Sequence, residues 1–248
     1  MLFPIKNEYN TLANAYQKSN VKPDKQFSIL PTVLKLVGDV NNKTVLDLGC
    51  GDGFFTREIA SQGAKKVIAI DNSEKQIELA MQENKHLNIE YRLADIFQDS
   101  LPIVDIINSP FVLNYCQNLD AVRNYLMKLF NSLKLNGRLI LVIDLPSGKN
   151  LEKFGARKTL AKDEDATPFS IELFDRESYL CTLHAVYFKE STVKRELEKV
   201  GFKNITSHRP IISSQGIEKF GEEFWEGYKD NCELGYITAE KYFGTGSN

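Results

Sequence analysis

Apolar positions along this chain change their spacing several times, and each change marks an element. Tyr9, Leu12, Ala13 and Tyr16 recur at helical spacing, and Leu30, Val33, Leu34 and Val37 repeat the pattern, which predicts helices within residues 1–40. Pro23 and Pro31 break or start segments there. From residue 43 short apolar runs alternate with helical patterns. Val45–Leu48, Lys66–Ile70 (ending in Asp71), Ile89–Leu93, Ile103–Ile107 and Arg138–Ile143 read as strands. Between them Phe54–Ser61 reads as a helix closed near Gly63, and Ser73 opens another with Gln76 completing a capping box. Asn118 or Asp120 opens a third, with Val122, Tyr125, Leu126, Leu129, Phe130 and Leu133 on one face, closing at Asn136 and Gly137. Such alternation predicts an α/β fold, a Rossmann-like, doubly wound and mostly parallel sheet with helices on both faces.

Beyond residue 145 the pattern weakens. Residues 145–169 are charged and aperiodic, and predict an exposed loop. Phe169–Phe174 and Cys181–Phe188 read as strands around the polar turn Asp175–Ser178, able to pair as a hairpin or to extend the sheet over the site. Thr192–Val200 reads as a helix ended by Gly201, and Phe202–Thr206 as a strand. Gly216–Tyr228 reads as one amphipathic helix with Ile217, Phe220, Phe224 and Trp225 on one face, Leu234–Tyr242 as a final strand, and Gly244–Asn248 as a frayed end. Residues 1–248 thus read as a single domain: a helical cap (1–40), a ligand-binding core (43–145), a β-containing insertion that covers substrate (146–190) and a C-terminal part of the core (191–248).

Composition narrows the function classes. With 31 basic and 33 acidic side chains the formal net charge is −2, so no strong field gathers nucleic acid or anionic lipid. The start, MLFPIKNEYN, has no apolar h-region, and apolar stretches such as Leu139–Ile143 are too short to span a bilayer. The four cysteines (Cys50, Cys116, Cys181, Cys232) show no C-x-x-C spacing, which argues against a disulfide framework or a metal site and fits a reducing cytoplasm. A cytoplasmic protein is expected, with a small-molecule ligand, no membrane and no nucleic-acid partner. Its oligomeric state stays open.

The chemistry centres on TVLDLGCGDGFF, residues 44–55, where a buried strand runs into Gly49, Gly51 and Gly53 and then a helix. Glycines let a ligand approach the backbone, and the helix start presents free N–H groups. A dinucleotide fingerprint needs glycine where Phe54 stands, and the acid Asp47 is awkward beside a pyrophosphate but suited to a cationic amino group. Asp71, 22 residues after Gly49 (71 − 49), can accept both hydroxyls of a ribose, and Asp95 can accept from an adenine amine.

VLDLGCGDG, VIAIDNS, LADI, DIINSPFVLNY and NGRLILVI resemble the successive motifs of class I S-adenosylmethionine-dependent methyltransferases. The N-terminal N-E-Y-N-x-L-A-x-x-Y resembles the helix that opens many small-molecule members, and GIEKFGEEFW resembles a segment of bacterial natural-product methyltransferases. The resemblance implies S-adenosylmethionine as cofactor and S-adenosylhomocysteine as product. It implies that Asp47, Gly49, Cys50 and Gly51 line the methionine end, and that Asp71 holds the ribose with Asn72 and Gln76 beside it. Ala94, Asp95 and Ile96 would frame the adenine, Asn108 would lie by the sulfonium just past the fourth strand, and Tyr16 would reach the carboxylate end from the cap.

The expected reaction is methyl transfer to an N or O atom of a small aromatic or heteroaromatic metabolite. Tyr9, Phe111, Tyr115, Phe154, His184, Phe224 and Trp225 are its expected pocket walls, and His184 and Tyr16 the candidate catalytic groups. A neutral ring nitrogen would need no base. Three alternatives stand beside this reading. Asn108-Ser109-Pro110-Phe111 resembles the N-P-P-F/Y motif of enzymes that methylate amino groups of nucleic acids or proteins. A nicotinamide-dependent oxidoreductase and a non-catalytic cofactor-binding module are the others.

Overall fold

The computed structural model describes residues 9–149, 151–175 and 178–242. Expectations for residues 1–8, for the centre of the 175–178 turn and for Gly244–Asn248 fall outside them. The chain runs α1 (Tyr9–Lys18), α2 (Leu30–Val37), β1 (Thr44–Leu48), α3 (Phe54–Ser61), β2 (Lys66–Asp71), α4 (Glu74–Glu83), β3 (Ile89–Leu93) and β4 (Val104–Pro110). It continues α5 (Leu119–Asn131), β5 (Leu133–Asp144), β6 (Ala156–Leu160), β7 (Thr167–Asp175), β8 (Ser178–Tyr187), α6 (Glu190–Val200), β9 (Lys203–His208), α7 (Ser214–Phe220), α8 (Tyr228–Asn231) and β10 (Leu234–Glu240). A short 3-10 turn and a π-helical stretch, Lys25–Ile29, join α1 to α2.

Seven strands form one sheet in the order β3-β2-β1-β4-β5-β10-β9. It is parallel except for β10, which runs antiparallel to β5 and to β9. Alternate side chains along each strand feed opposite faces, as strand geometry requires. Leu46, Ile107, Leu139 and Leu141 pack against α5 and α6 through Val122, Leu126, Leu129, Val193 and Leu197. Val45, Val67, Ile106, Ile140 and Val142 pack against α2 and α3 through Val33, Val37, Phe55 and Ile59. This is the α/β, mostly parallel doubly wound fold that the alternating pattern predicts, with the first three strand–helix boundaries within a residue of expectation.

A second, antiparallel sheet of three strands, β6-β7-β8, stands over the carboxyl edge of the first. Its inner face (Phe169, Ile171, Leu173, Cys181, Leu183, Ala185) packs on Leu12, Ala15 and Tyr16 of α1. The hairpin of the two later strands is as expected. Its third strand, β6, replaces part of the expected exposed loop, because Ala156 and Lys158 turn inward against the hairpin rather than to water.

Three boundaries differ from expectation for local reasons. Strand β4 runs on through Asn108, Ser109 and Pro110, which pair with β5, so the loop begins only at Phe111. Helix α5 ends at Asn131 rather than near Gly137, because β5 starts at Leu133 and is irregular about Asn136, where φ is 61°. The expected helix over Gly216–Tyr228 is broken into pieces at Gly221 and Gly227, whose φ values of 80° and 73° no α-helix accepts. Among the described residues no helix is long and apolar enough to cross a membrane.

Candidate active site

A cavity of about 490 Å³ opens at the carboxyl edge of the parallel strands, under α1 and the three-stranded sheet. Its outer half is lined by Gly49, Gly51, Asp71, Asn72, Ser73, Gln76, Asp95 and Ile96. The turn after β1 holds Gly49, Gly51 and Gly53 at φ of 63°, 55° and 81°. A Cβ on Gly49 would come within 2.7 Å of Val112 Cγ2, and one on Gly53 within 2.6 Å of the Tyr91 hydroxyl. At Gly51 the nearest atoms would be Gln76 Oε1 and Tyr16 Cε1, both at 3.8 Å, so that glycine faces open cavity.

Asp71 ends β2 and ties the turn to the next helix. Its Oδ2 accepts from Gly51 N–H at 2.8 Å and its Oδ1 from Ser73 N–H at 2.9 Å. Burial raises its pKa, and those backbone donors oppose the rise. A carboxylate offers about four lone-pair sites, so capacity remains for two hydroxyls. Ser73 caps α4 by accepting from Gln76 N–H at 3.2 Å, but the reciprocal half of the capping box is not made. The Gln76 amide is buried instead, and neither its Oε1 nor its Nε2 has a partner among the described residues. An unpaired buried amide costs stability, and this one faces the cavity. Asp95 and Ile96 close the outer end, with Asp95 Oδ1 accepting from Phe97 N–H at 2.8 Å.

Asp47, Asn108, Cys50 and Ala94 do not reach that lining. Asp47 is fully buried on the α3 face of β1, where it accepts from Thr56 Oγ1–H at 2.5 Å and Asn108 Nδ2–H at 2.8 Å. Burial lifts its carboxyl to about 6 despite those two donors. Asn108 therefore sits inside β4 behind the turn, not past the strand beside the cavity, because the parallel ladder to β1 and β5 extends over it. Cys50 packs with Ala69 and Ile77, and burial raises its thiol pKa. It is packing, as its small neutral side chain allows.

Helix α1 forms the lid. Asn10 Oδ1 accepts from Ser73 Oγ–H at 2.8 Å and from Lys75 N–H at 3.2 Å, so α1 is clipped to the start of α4. Tyr9 and Tyr16 point into the cavity, and the Tyr9 and Tyr115 hydroxyls share a hydrogen bond. Burial raises the pKa of both Tyr9 and Tyr16, which keeps them neutral. Phe111, at φ 64° just after β4, also lines the cavity; a left-handed aromatic residue is strained, and here its N–H is held by Val142 O at 2.7 Å.

The inner half differs from the expected aromatic pocket. Phe154 and Trp225 stack at 5.5 Å in a cluster with Phe224 and Tyr228 and are core, not wall. His184 is exposed, because Leu183 and Ala185 take the inward positions of β8 and the strand alternation turns His184 outward. In their place stand Leu151, Ile171, Leu173, Leu183 and Leu234, with Lys22, Asp24, Lys25, Asp144 and Lys158. Hydropathy gave no signal for these charged groups. Lys158 lies in a run that reads as solvated, and its pairing with Asp144 at 2.7 Å and its hydrogen bond to Glu233 O at 2.9 Å explain its burial.

Residues 39–201 match the family described as methyltransferase domain. The chain belongs to that family. Malonyl-[acyl-carrier protein] O-methyltransferase of Hamiltonella defensa is 26% identical over 208 residues, 82% of this chain and 73% of that protein. An uncharacterized Haemophilus influenzae protein is 32% identical over 145 residues, 53% of this chain but only 54% of its own length. In fold, the methyltransferase domain resembles S-adenosylmethionine-dependent methyltransferases of Mesorhizobium loti (TM-score 0.61, 17% identity, covering 90% and 99% of the two chains) and Listeria monocytogenes (0.58, 21%, 85% and 96%). The cofactor of this methyltransferase domain is S-adenosylmethionine. The site fits it: Asp71 has acceptor capacity for a ribose, the unpaired Gln76 amide seeks polar partners, and Gly51 leaves a cradle that a Cβ would fill.

Proposed function

We propose that the protein transfers a methyl group from S-adenosylmethionine to an N or O atom of a small metabolite seated in the inner half of the cavity. The observation that carries this reading is a single cavity that joins the polar groups Asp71, Gln76 and Asp95 to a region of aliphatic and charged side chains beneath the three-stranded sheet. When bound, the cofactor supplies a methyl already activated on a sulfonium. The protein's task is then alignment and exclusion of water, which can be worth an effective molarity of roughly 10⁵–10⁸ M.

Asp71 accepts the ribose hydroxyls, Gln76 and Asn72 lie beside them, and Asp95 and Ile96 frame the base. Gly49 and Gly51 let the methionine part approach the backbone, and Asp47 sets a negative charge beneath the turn for the amino group. Tyr16, on the lid, lies over the same end. Neither His184 nor a tyrosinate serves as base: the histidine is outside the cavity, and burial keeps Tyr9 and Tyr16 protonated. An acceptor nitrogen with a free lone pair, or an oxygen already ionised, needs none. Of the aromatic walls expected for the acceptor, Tyr9, Phe111 and Tyr115 line the cavity, while Phe154, His184 and Trp225 do not. Methylation of an amino group through Asn108–Phe111 loses support, since Asn108 is fully buried within β4 and does not line the cavity.

Calorimetric titration with S-adenosylmethionine and S-adenosylhomocysteine tests the reading, on wild type and Asp71→Ala. Micromolar binding that disappears in the variant is expected. A well-folded wild type that binds neither ligand would sink it.

A further inference from the structure

Asp144 ends β5 and lines the inner half of the cavity at 5% exposure. The Asn114 amide holds its backbone. Asn114 Oδ1 accepts from Asp144 N–H at 2.8 Å, and Asn114 Nδ2 donates to Asp144 O at 3.3 Å and to Val186 O of β8 at 2.9 Å. The side chain is oriented from the covering sheet. Its Oδ1 lies 2.7 Å from Lys158 Nζ, which also donates to Glu233 O at 2.9 Å. Asp144 Oδ2 accepts no hydrogen bond among the described residues. A carboxylate buried this far with one oxygen unpaired holds acceptor capacity that only water or a ligand in the cavity can use.

The lysines of the cavity offer no spare cation. Lys158 is paired with Asp144, and Lys22 Nζ lies 3.8 Å from Asp24 Oδ1. Burial lowers the Lys25 pKa to about 8, and Asp52 is the strongest charge opposing that fall. On the lid, burial raises the pKa of the cavity-lining Tyr16, and the carboxylates of Asp52, Asp144 and Asp71 add to the rise. The potential around Tyr16 is therefore negative. It suits a sulfonium and a group on which positive charge grows, and it opposes an anion.

We propose that the methyl acceptor is a small amine, and that Asp144 Oδ2 accepts from the N–H of the nitrogen that is methylated. The inference rests on the methyltransferase reading. An amine that enters as its ammonium ion first gives one proton to water. Its lone pair then forms the N–C bond as the S–C bond of the sulfonium breaks, with the electron pair of that bond staying on sulfur. Positive charge thereby passes from sulfur to nitrogen. The N–H···O bond to Asp144 strengthens as it does, which favours the transition state over the bound reactants. The remaining N–H proton stays on nitrogen through the transfer and exchanges with water after release. An alcohol would have to lose its proton, and a carboxylate is too weak a base to take it. An oxygen already ionised would meet the same carboxylates. Lys158 holds Oδ1 and leaves Oδ2 to the acceptor, while Leu173 and Leu183 cover the hydrocarbon of the amine.

The test uses hexylamine, hexanol and hexanoate as matched probes, titrated into the full chain saturated with S-adenosylhomocysteine, which carries no sulfonium charge to repel a protonated amine. The first arm is S-adenosylhomocysteine alone; a folded wild type that fails there overturns the methyltransferase reading itself. With that binding in hand, hexylamine should bind about tenfold or more tightly than either other probe. Asp144→Asn should weaken hexylamine by roughly tenfold to a hundredfold, with hexanol and S-adenosylhomocysteine affinities unchanged. That variant leaves Lys158 without its carboxylate, so the double variant Asp144→Asn/Lys158→Met, which removes both charges, should lose the amine preference in the same way and carries the test if the single variant does not fold. Equal binding of amine and alcohol, tighter binding of hexanoate, or no saturable hexylamine binding overturns the proposal. So does an equal loss of amine and alcohol in the variants, which would make the Asp144–Lys158 pair a tie between the two sheets and nothing more.

Discussion

Asp47→Asn is expected to make the ligand-free protein more stable and to flatten its pH dependence. The Asp47 carboxyl is fully buried, and its pKa is raised from 3.8 to about 6, with burial outweighing the donors Thr56 and Asn108. The folded state therefore holds this proton more tightly than the unfolded chain. The resulting stabilisation is complete below about pH 4 and is lost as the pH rises through about 6. A shift of about 2 units at about 1.4 kcal/mol each means that ionised Asp47 costs about 3 kcal/mol at neutral pH. The variant escapes that cost without orphaning its neighbours. Thr56 keeps a carbonyl to donate to, and Asn108, whose Oδ1 is buried without a partner among the described residues, can turn its amide to accept from the new one.

Urea unfolding followed by tryptophan fluorescence should show Asp47→Asn more stable by about 1–3 kcal/mol near pH 8, with the margin falling by roughly half near pH 5. Asp47→Ala should instead be less stable by about 2–4 kcal/mol, because it strands two buried donors. An asparagine variant no more stable than wild type near pH 8, or a margin that does not change with pH, would refute the reasoning. Calorimetry supplies the functional half. If the buried charge faces the amino group of the cofactor through the turn, Asp47→Asn should bind S-adenosylhomocysteine about tenfold more weakly.

The glycine turn and the lid give sharper local contrasts. Gly51→Ala should fold, at a cost of about 1–2 kcal/mol for a left-handed alanine, yet lose S-adenosylhomocysteine binding, since its Cβ would enter the cavity between Gln76 and Tyr16. Gly49→Ala should be less stable than Gly51→Ala in the same urea titration, because its Cβ would also meet Val112 Cγ2 at 2.7 Å. Asn10→Ala removes the clip between α1 and α4 and should speed S-adenosylhomocysteine release several-fold in stopped-flow, with a stability loss of about 1 kcal/mol.

What the sequence disclosed and what it hid divide along a physical line. The β1 turn, the acid ending β2 and the cap at Ser73 are local: their geometry follows from glycine, carboxylate and hydroxyl at fixed separations in the chain. They were legible, down to Gly63 just past the Gln62 cap of α3. Where a residue's place depended on a distant partner, the pattern misled. Asn108 reads as a loop residue until the ladder to β1 and β5 is known. His184 and Leu183 differ only in which face of β8 they occupy, and an apolar run with one histidine does not fix that phase. The lysines were the hardest to place. A charged residue in a polar run reads as solvated because ionised groups resist burial, and these lysines defy this only because the fold brings Lys158 to Asp144 and Lys25 to Asp52, while Lys22 lies near Asp24. Sites that hold a ligand are where such convergence is expected, since a protein accepts locally unfavourable burial there in return for binding.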